Sequence, residues 1–260
     1  MNNFVISLTS ATDRREHITH AFQQQVIDFL FFDAVTTDQI DSISEELQVQ
    51  VSRQHLSPIE IACLLSHLKL WQLMITQSIP YIAIFEDDIH LSKNASSFLN
   101  DFLWIPNGTE IIKLEMFHDK IARQYFHKKI VKDLSLEILL EPHVGTAGYI
   151  ISIGLAEKLL QQLRKKHITL AIDHILFTQL LKSNTNIWQM NPPLCIQDNR
   201  LYKNNGSLPS QLESQRKKHL HPAPFQAKSQ FTLAFKIKRE LIRPVKQCYL
   251  WIHRQPLTFK

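Results

Sequence analysis

Residues Tyr81 to Leu91, YIAIFEDDIHL, decide how this chain is read. Five apolar or aromatic residues, Tyr81 to Phe85, run directly into Glu86, Asp87 and Asp88. A short apolar run closed by polar residues is the pattern of a strand buried on both faces. In open α/β sheets, ligands bind beyond the carboxyl ends of the strands, and the acidic trio stands at that end. Side chains alternate along a strand, which sends Glu86 and Asp88 to one side and Asp87 to the other. Adjacent carboxylates repel one another. A divalent cation removes that cost, and Mg²⁺ or Mn²⁺ prefers oxygen ligands. The same acidic residues also suit a solvated strand end or a helix cap, so the flanking chain has to weigh in.

Upstream, Phe4 to Leu8 (FVISL) reads as a first strand, followed by a helix starting near Arg14. Asp28 to Val35 (DFLFFDAV) reads as a second strand, which makes a parallel βαβ unit. Arg14 and Arg15 then fall at a helix start beyond a strand end. There they can receive a phosphate or remain a solvated pair. Residues 36–56 are polar without clear periodicity. Ser57, Pro58 and Glu60 spell a capping box, and Ile61, Leu64, Leu65, Leu68 and Ile75 continue it as an apolar helical stripe. Glu60, Cys63, His67, Trp71 and Met74 share a neighbouring face. His67 there either borders a sugar site or is hydrogen-bonded inside the fold.

Downstream, Ser92 to Leu103 reads as a helix, and Glu110 to Phe117 and Leu134 to Leu140 as strands. Two of the five glycines lie in His143 to Gly148 (HVGTAG), where small residues at Gly145 and Thr146 suggest close approach by a ligand or another backbone. The stretch matches neither a dinucleotide fingerprint nor a P-loop. Leu155 to Lys166 and Ala171 to Leu181 read as helices, with Asp173 at the start of the second, where it can serve as a cap. Ile187 to Met190 is a short strand, and Cys195 to Gly206 reads as a polar loop.

Composition is that of an ordinary globular chain: 260 residues, 44% hydrophobic and 20% charged. No apolar run approaches the roughly 20 residues of a membrane span, and MNNFVISL does not read as a secretory signal. Cys63, Cys195 and Cys248 give no disulfide framework or metal spacing and suit buried free thiols. The net charge of +5 hides an asymmetry. Residues 216–260 carry 11 Lys or Arg against one acidic residue, Glu240, while the rest carries 18 basic and 23 acidic residues. The chain divides on this reading into a body, 1–215, and a basic amphipathic extension, 216–260. Such an extension suits an anionic membrane surface, nucleic acid, or packing back on the body.

Together, FVISL with Arg14-Arg15, FFDAV, LSPIEIACLLSHLKLW, IAIFEDDI, EIIKLE, HVGTAGYIIS and AIDHILF resemble, in order, glycosyltransferase family 25, the lipopolysaccharide-type sugar transferases. The likeness covers about residues 4–200; Ala62 stands where the family commonly has glycine. The resemblance implies an α/β fold of GT-A type, with a mostly parallel central sheet flanked by helices. It implies inversion at the anomeric carbon, a divalent metal (Mn²⁺ or Mg²⁺) and a UDP-sugar donor, UDP-galactose before UDP-glucose. It further implies a lipooligosaccharide acceptor and a place on the cytoplasmic face of the bacterial inner membrane, with no nucleic acid as partner. On this basis Asp88 and Glu86 are the expected metal ligands. Arg14, Arg15, Glu86, Asp87, His67, Gly145 and Thr146 are expected at the donor, Asp173 is the expected general base, and Glu115 is its reserve. The rival classes are a metal-dependent hydrolase or phosphotransferase, and a non-catalytic carbohydrate-binding protein.

Overall fold

The computed structural model describes residues 2–131, 134–183, 185–203, 208, 243–245 and 247–260. Its strands are β1 (Asn3–Ser7), β2 (Leu30–Asp33), β3 (Gln50–Val51), β4 (Tyr81–Glu86), β5 (Ile89–Leu91), β6 (Ile111–Lys113), β7 (Lys120–Val131), β8 (Leu134–Leu139), β9 (Gly148–Ser152), β10 (His167–Ile168), β11 (Ile187–Asn191), β12 (Cys195–Gln197) and β13 (Arg254–Pro256). The helices are α1 (Thr12–Gln24), α2 (Ile40–Leu47), α3 (Pro58–Thr76), α4 (Ser96–Leu99), α5 (Ile153–Arg164), α6 (Ile172–His174), α7 (Leu180–Lys182) and α8 (Asp198–Leu201), with a π-helical turn, Ile175–Gln179, joining α6 to α7.

Nine strands make one sheet in the order β13-β7-β8-β11-β6-β9-β4-β1-β2. The expectation of parallel pairing holds where the acidic strand lies: β1 pairs in parallel with both β2 and β4. From β9 outward antiparallel pairing takes over, apart from the parallel β6·β11 pair, so the whole is a mixed α/β sheet. As the apolar run of β4 requires, both its faces are covered. Ile82 and Ile84 enter the core built on α3 and α5, and Ala83 and Phe85 enter the core that holds Ile18 and Phe22 of α1.

Helix α3 begins as its sequence dictates. Ser57 Oγ accepts from Glu60 N (3.3 Å), and Ser57 N donates to Glu60 Oε2 (2.9 Å), with Pro58 in the first turn. Contrary to the expectation from the sequence, this 19-residue helix is apolar enough to cross a membrane by length and mean hydropathy. Here it is the central helix of one core, with Leu64, Leu65, Leu68 and Trp71 fully buried. The polar stretch 36–56 holds α2, whose Ile40, Ile43 and Leu47 are buried at helical spacing.

Two expected elements change. The helix over Ser92–Leu103 shrinks to α4 because Asp101 Oδ1 accepts from Leu103 N (3.0 Å), a local turn that competes with helical bonding. The polar loop from Cys195 becomes β12, paired antiparallel with β5, and then α8.

The division at residue 215 and most of the expected extension lie outside the described residues. Its end does not stand apart: β13 pairs antiparallel with β7, Arg123 donates to Pro256 O (2.8 Å), and Leu257 is buried in the core. All three cysteines are free, but only Cys195 is buried; Cys248 is exposed.

Candidate active site

The parallel register of β1 against β4 sets Ile6 opposite Glu86 and so brings Ser7 beside Asp87. Ser7 Oγ donates to Asp87 Oδ2 (2.7 Å), and Arg14 Nη1, from the first turn of α1, reaches Asp87 Oδ1 at 2.6 Å. Asp87 is thereby neutralised from one side. Asp87 and Asp88 lie in the turn after β4, beyond the strand whose alternation is expected to part them, and Glu86 and Asp88 have partners of their own. Thr146 Oγ1 donates to Glu86 Oε1 (2.8 Å), and Gln197 Nε2 donates to Glu86 Oε2 (3.1 Å) and Asp88 Oδ1 (3.4 Å). Burial pushes the Asp88 carboxyl up to about 6; Arg14 pulls it down, while Asp87 and Glu115 push it further up.

The glycine-containing loop stands over a buried ion pair. Lys113 and Glu115 are fully buried 2.9 Å apart. Lys113 Nζ also donates to Val144 O (3.0 Å) and Gly145 O (2.5 Å), and Ala147 N donates to Glu115 Oε2 (3.2 Å). These bonds satisfy Lys113 and Glu115 Oε2, while Glu115 Oε1 has no hydrogen-bond partner among the described residues. Gly145 has φ +85°, and a Cβ there would lie 2.5 Å from Phe117 and 2.7 Å from Glu115. The loop approaches too closely for any side chain, which is the signal its composition carried.

Two cavities meet at the acidic end of β4. The first, about 310 Å³, lies between the ends of β1 and β2 and the start of α3. Its walls are mostly apolar (Ile6, Leu8, Ala34, Val35, Ile59), and Arg14 and the three carboxylates close one end. The second, about 350 Å³, is more polar than the first, with Glu60, Asp173, Gln197, Asn199 and Arg200 around Gly145 and Thr146 and Phe117 and Ile172 also in its walls. Cys63, Glu86 and Asp88 line both. Asp173 Oδ1 accepts from His174 N (2.8 Å), and its Oδ2 lies 3.5 Å from Gly145 N, so the carboxylate is fixed on the wall facing the loop.

Two expected residues sit elsewhere. Arg15 lines neither cavity: it donates to Leu8 O (3.1 Å) and Ser7 O (3.0 Å), pairs with Asp33 and covers Phe31, which clamps the ends of β1 and β2 together. Glu115 lies beneath the loop, fully buried and outside both linings, where it holds Lys113. His67 lines the first cavity, 1% exposed, and is hydrogen-bonded to Tyr149.

A strand end with paired carboxylates between two substrate-sized cavities suits transfer between two bound molecules. Residues 1–176 match the sequence model of glycosyltransferase family 25 (LPS biosynthesis protein). The chain belongs to this family. It is 36% identical over 233 residues to lipooligosaccharide biosynthesis protein lic2B of Haemophilus influenzae, covering 84% of each chain. It is 35% identical over 230 residues to the lacto-N-neotetraose biosynthesis glycosyltransferase LgtE of Neisseria meningitidis serogroup B, covering 83% of this chain and 82% of that one. Mouse xyloside xylosyltransferase 1 superposes with a TM-score of 0.36 at 14% identity, over 71% of this chain and 70% of that one, too remote a likeness to carry an argument.

In this family 25 member, Glu86 and Asp88 are the two carboxylates available to a divalent metal. Glu86 and Asp88 converge on one Gln197 nitrogen, but no group of three His, Cys, Asp or Glu with metal-binding geometry occurs among the described residues. Mg²⁺-type sites need only one or two protein carboxylates when substrate phosphates and water complete the shell. Gln197, Asn199 and Arg200 line the second cavity and are residues that the sequence does not single out. Gln197 comes to the carboxylates only through the β12·β5 pairing, a contact across 109 residues.

Two buried histidines make the fold acid-sensitive. Burial lowers both His67 and His143 from 6.5 to about 3, and Lys113 adds to the effect at His143. Both are neutral when folded and take up protons when unfolded, so stability falls as pH drops below 6.5. At pH 5 each costs about 2 kcal/mol. Asp88 acts in the opposite sense, because a raised carboxyl binds its proton in the folded state, and offsets about 1.4 kcal/mol. The net loss is on the order of 2–3 kcal/mol, a fall in Tm of about 5–10 °C between pH 7.5 and 5.0. Thermal melts at the two pH values check this; an unchanged Tm rejects it.

Proposed function

We propose that this protein is an inverting glycosyltransferase of GT-A type that moves galactose from UDP-galactose to a lipooligosaccharide core sugar. The observation that carries the reading is the sharing of Glu86 and Asp88 by the two cavities. A nucleotide sugar in the first and an acceptor in the second would meet at those carboxylates. The apolar walls of the first suit a base, and the charged end beside Arg14 suits a diphosphate. The polar walls of the second suit a sugar acceptor. The relatives' names, which speak of lipooligosaccharide and lacto-N-neotetraose biosynthesis, support the acceptor class. The choice of galactose rests on the family resemblance, with UDP-glucose as second donor.

In the reaction, an acceptor hydroxyl attacks the anomeric carbon while the bond to UDP breaks on the opposite side. Asp173, on the acceptor wall, takes the hydroxyl proton. Glu86 and Asp88 would hold a divalent cation, which supplies positive charge for the departing diphosphate. Thr146 and Gln197 orient Glu86, and Ser7 and Arg14 hold Asp87. Calorimetric titration with UDP-galactose, UDP-glucose and UDP, each with Mn²⁺ and with chelator, tests the reading. Metal-dependent binding supports it and ranks the donors, whereas a folded sample that binds no uridine nucleotide overturns it.

We also propose peripheral attachment to the cytoplasmic face of the inner membrane. What supports this is the basic excess after residue 215 and the exposure of Val245, Tyr249, Trp251 and Ile252 near the chain's end. The expected result is salt-sensitive co-sedimentation with phosphatidylglycerol-containing vesicles, absent with phosphatidylcholine alone and weakened in Trp251→Ala. Equal recovery with both lipids, or with neither, rejects it.

A further inference from the structure

The hydroxyl of Tyr149 is a buried junction with a countable set of hydrogen bonds. It lies 3.1 Å from Trp71 Nε1 and 2.8 Å from His67 Nδ1. An indole nitrogen only donates, so Tyr149 accepts from Trp71. The phenol proton is then left, and of these two ring nitrogens only His67 Nδ1 is able to accept it. That assigns the tautomer: Nδ1 carries the lone pair and Nε2 carries the hydrogen. The other tautomer would strand the Tyr149 proton in the core, at the cost of a buried unpaired donor. Nε2 itself is buried and has no hydrogen-bond partner among the described residues. His67 lines the first cavity and spends its other nitrogen on Tyr149, so Nε2–H is the polar group it has left for a ligand.

We propose that His67 is a donor-binding residue whose Nε2–H hydrogen-bonds an oxygen of the bound nucleotide sugar, and that Tyr149 and Trp71 fix the tautomer that makes this possible. The proposal deepens the reading above and rests on it in taking the first cavity as the donor site. A ligand oxygen would supply the partner that Nε2 lacks. Burial keeps the ring neutral through the physiological range, so the group acts as a fixed dipole and not as a titrating acid.

Two variants separate the roles of the two nitrogens. His67→Asn keeps an acceptor at the Nδ1 position for Tyr149 and removes the donor. His67→Gln keeps a donor near the Nε2 position. The expected result is that Asn weakens donor binding about 10-fold with little change in kcat, while Gln stays within about 3-fold of the wild type. Titration with UDP and with the UDP-sugar locates the oxygen: loss in both places it on the nucleotide, and loss in the UDP-sugar alone places it on the hexose. Long-range ¹H–¹⁵N correlation spectra of the ligand-free protein read the tautomer directly. A pyrrole-type Nε2 and pyridine-type Nδ1 support the proposal, and the reverse overturns it. Wild-type binding with an unaffected, folded His67→Asn overturns the donor contact alone. No uridine nucleotide binding by the wild type overturns that contact together with the wider reading, while the spectrum still decides the tautomer.

Discussion

Asp88→Asn is expected to lower kcat/KM by about 10³-fold and to remove the Mn²⁺ dependence of donor binding. The carboxylate stands at the junction of the two cavities, and Gln197 donates to both it and Glu86. Asparagine keeps the shape and the bond from Gln197 but removes the charge a hard cation needs. The same change is expected to leave Tm unchanged or raise it by a few degrees. Asp88 is ionised beside Asp87 and Glu115 with burial against it, so losing the charge relieves repulsion in the free protein. Stability and activity thus move in opposite directions, which a folding defect would not produce. Calorimetry with and without Mn²⁺, alongside a melt, checks both. Donor affinity equal to that of the wild type in Mn²⁺ rejects the metal assignment.

Asp173→Asn is expected to reduce kcat by about 10²- to 10⁴-fold while leaving donor affinity within about 2-fold. The asparagine oxygen still accepts from His174 N, so the wall of the second cavity keeps its form. What is lost is the ability to take a proton from the acceptor hydroxyl. Steady-state rates at saturating donor, beside the donor Kd, separate this from a binding defect. A kcat within 10-fold of the wild type removes Asp173 as base. Glu115 does not inherit the role, because it is fully buried and committed to Lys113 and the loop backbone.

Local rules determined much of this protein from the sequence alone. The apolar run of β4 specifies a strand covered on both faces, with the acidic trio at its carboxyl end. Ser57, Pro58 and Glu60 specify where α3 starts. The glycines of the 143–148 loop announce a close approach, which at Gly145 is to Glu115 and Phe117 and at Gly148 to Cys195. These features depend on residues a few positions apart, so their physics is written in neighbouring letters. The tertiary structure decided the partners. Arg14 and Arg15 are adjacent and alike, yet one reaches Asp87 and the other ties down β1 and β2, because the helix turns their side chains in different directions. Burial removes Glu115 as the reserve base and leaves Asp173 on a cavity wall. Gln197 joins Glu86 across 111 residues, and His67 acquires its tautomer from Tyr149 across 82. Such contacts are fixed by strand order and packing, where the favourable energy of burial is shared among distant segments, and no local pattern records which segments will share it.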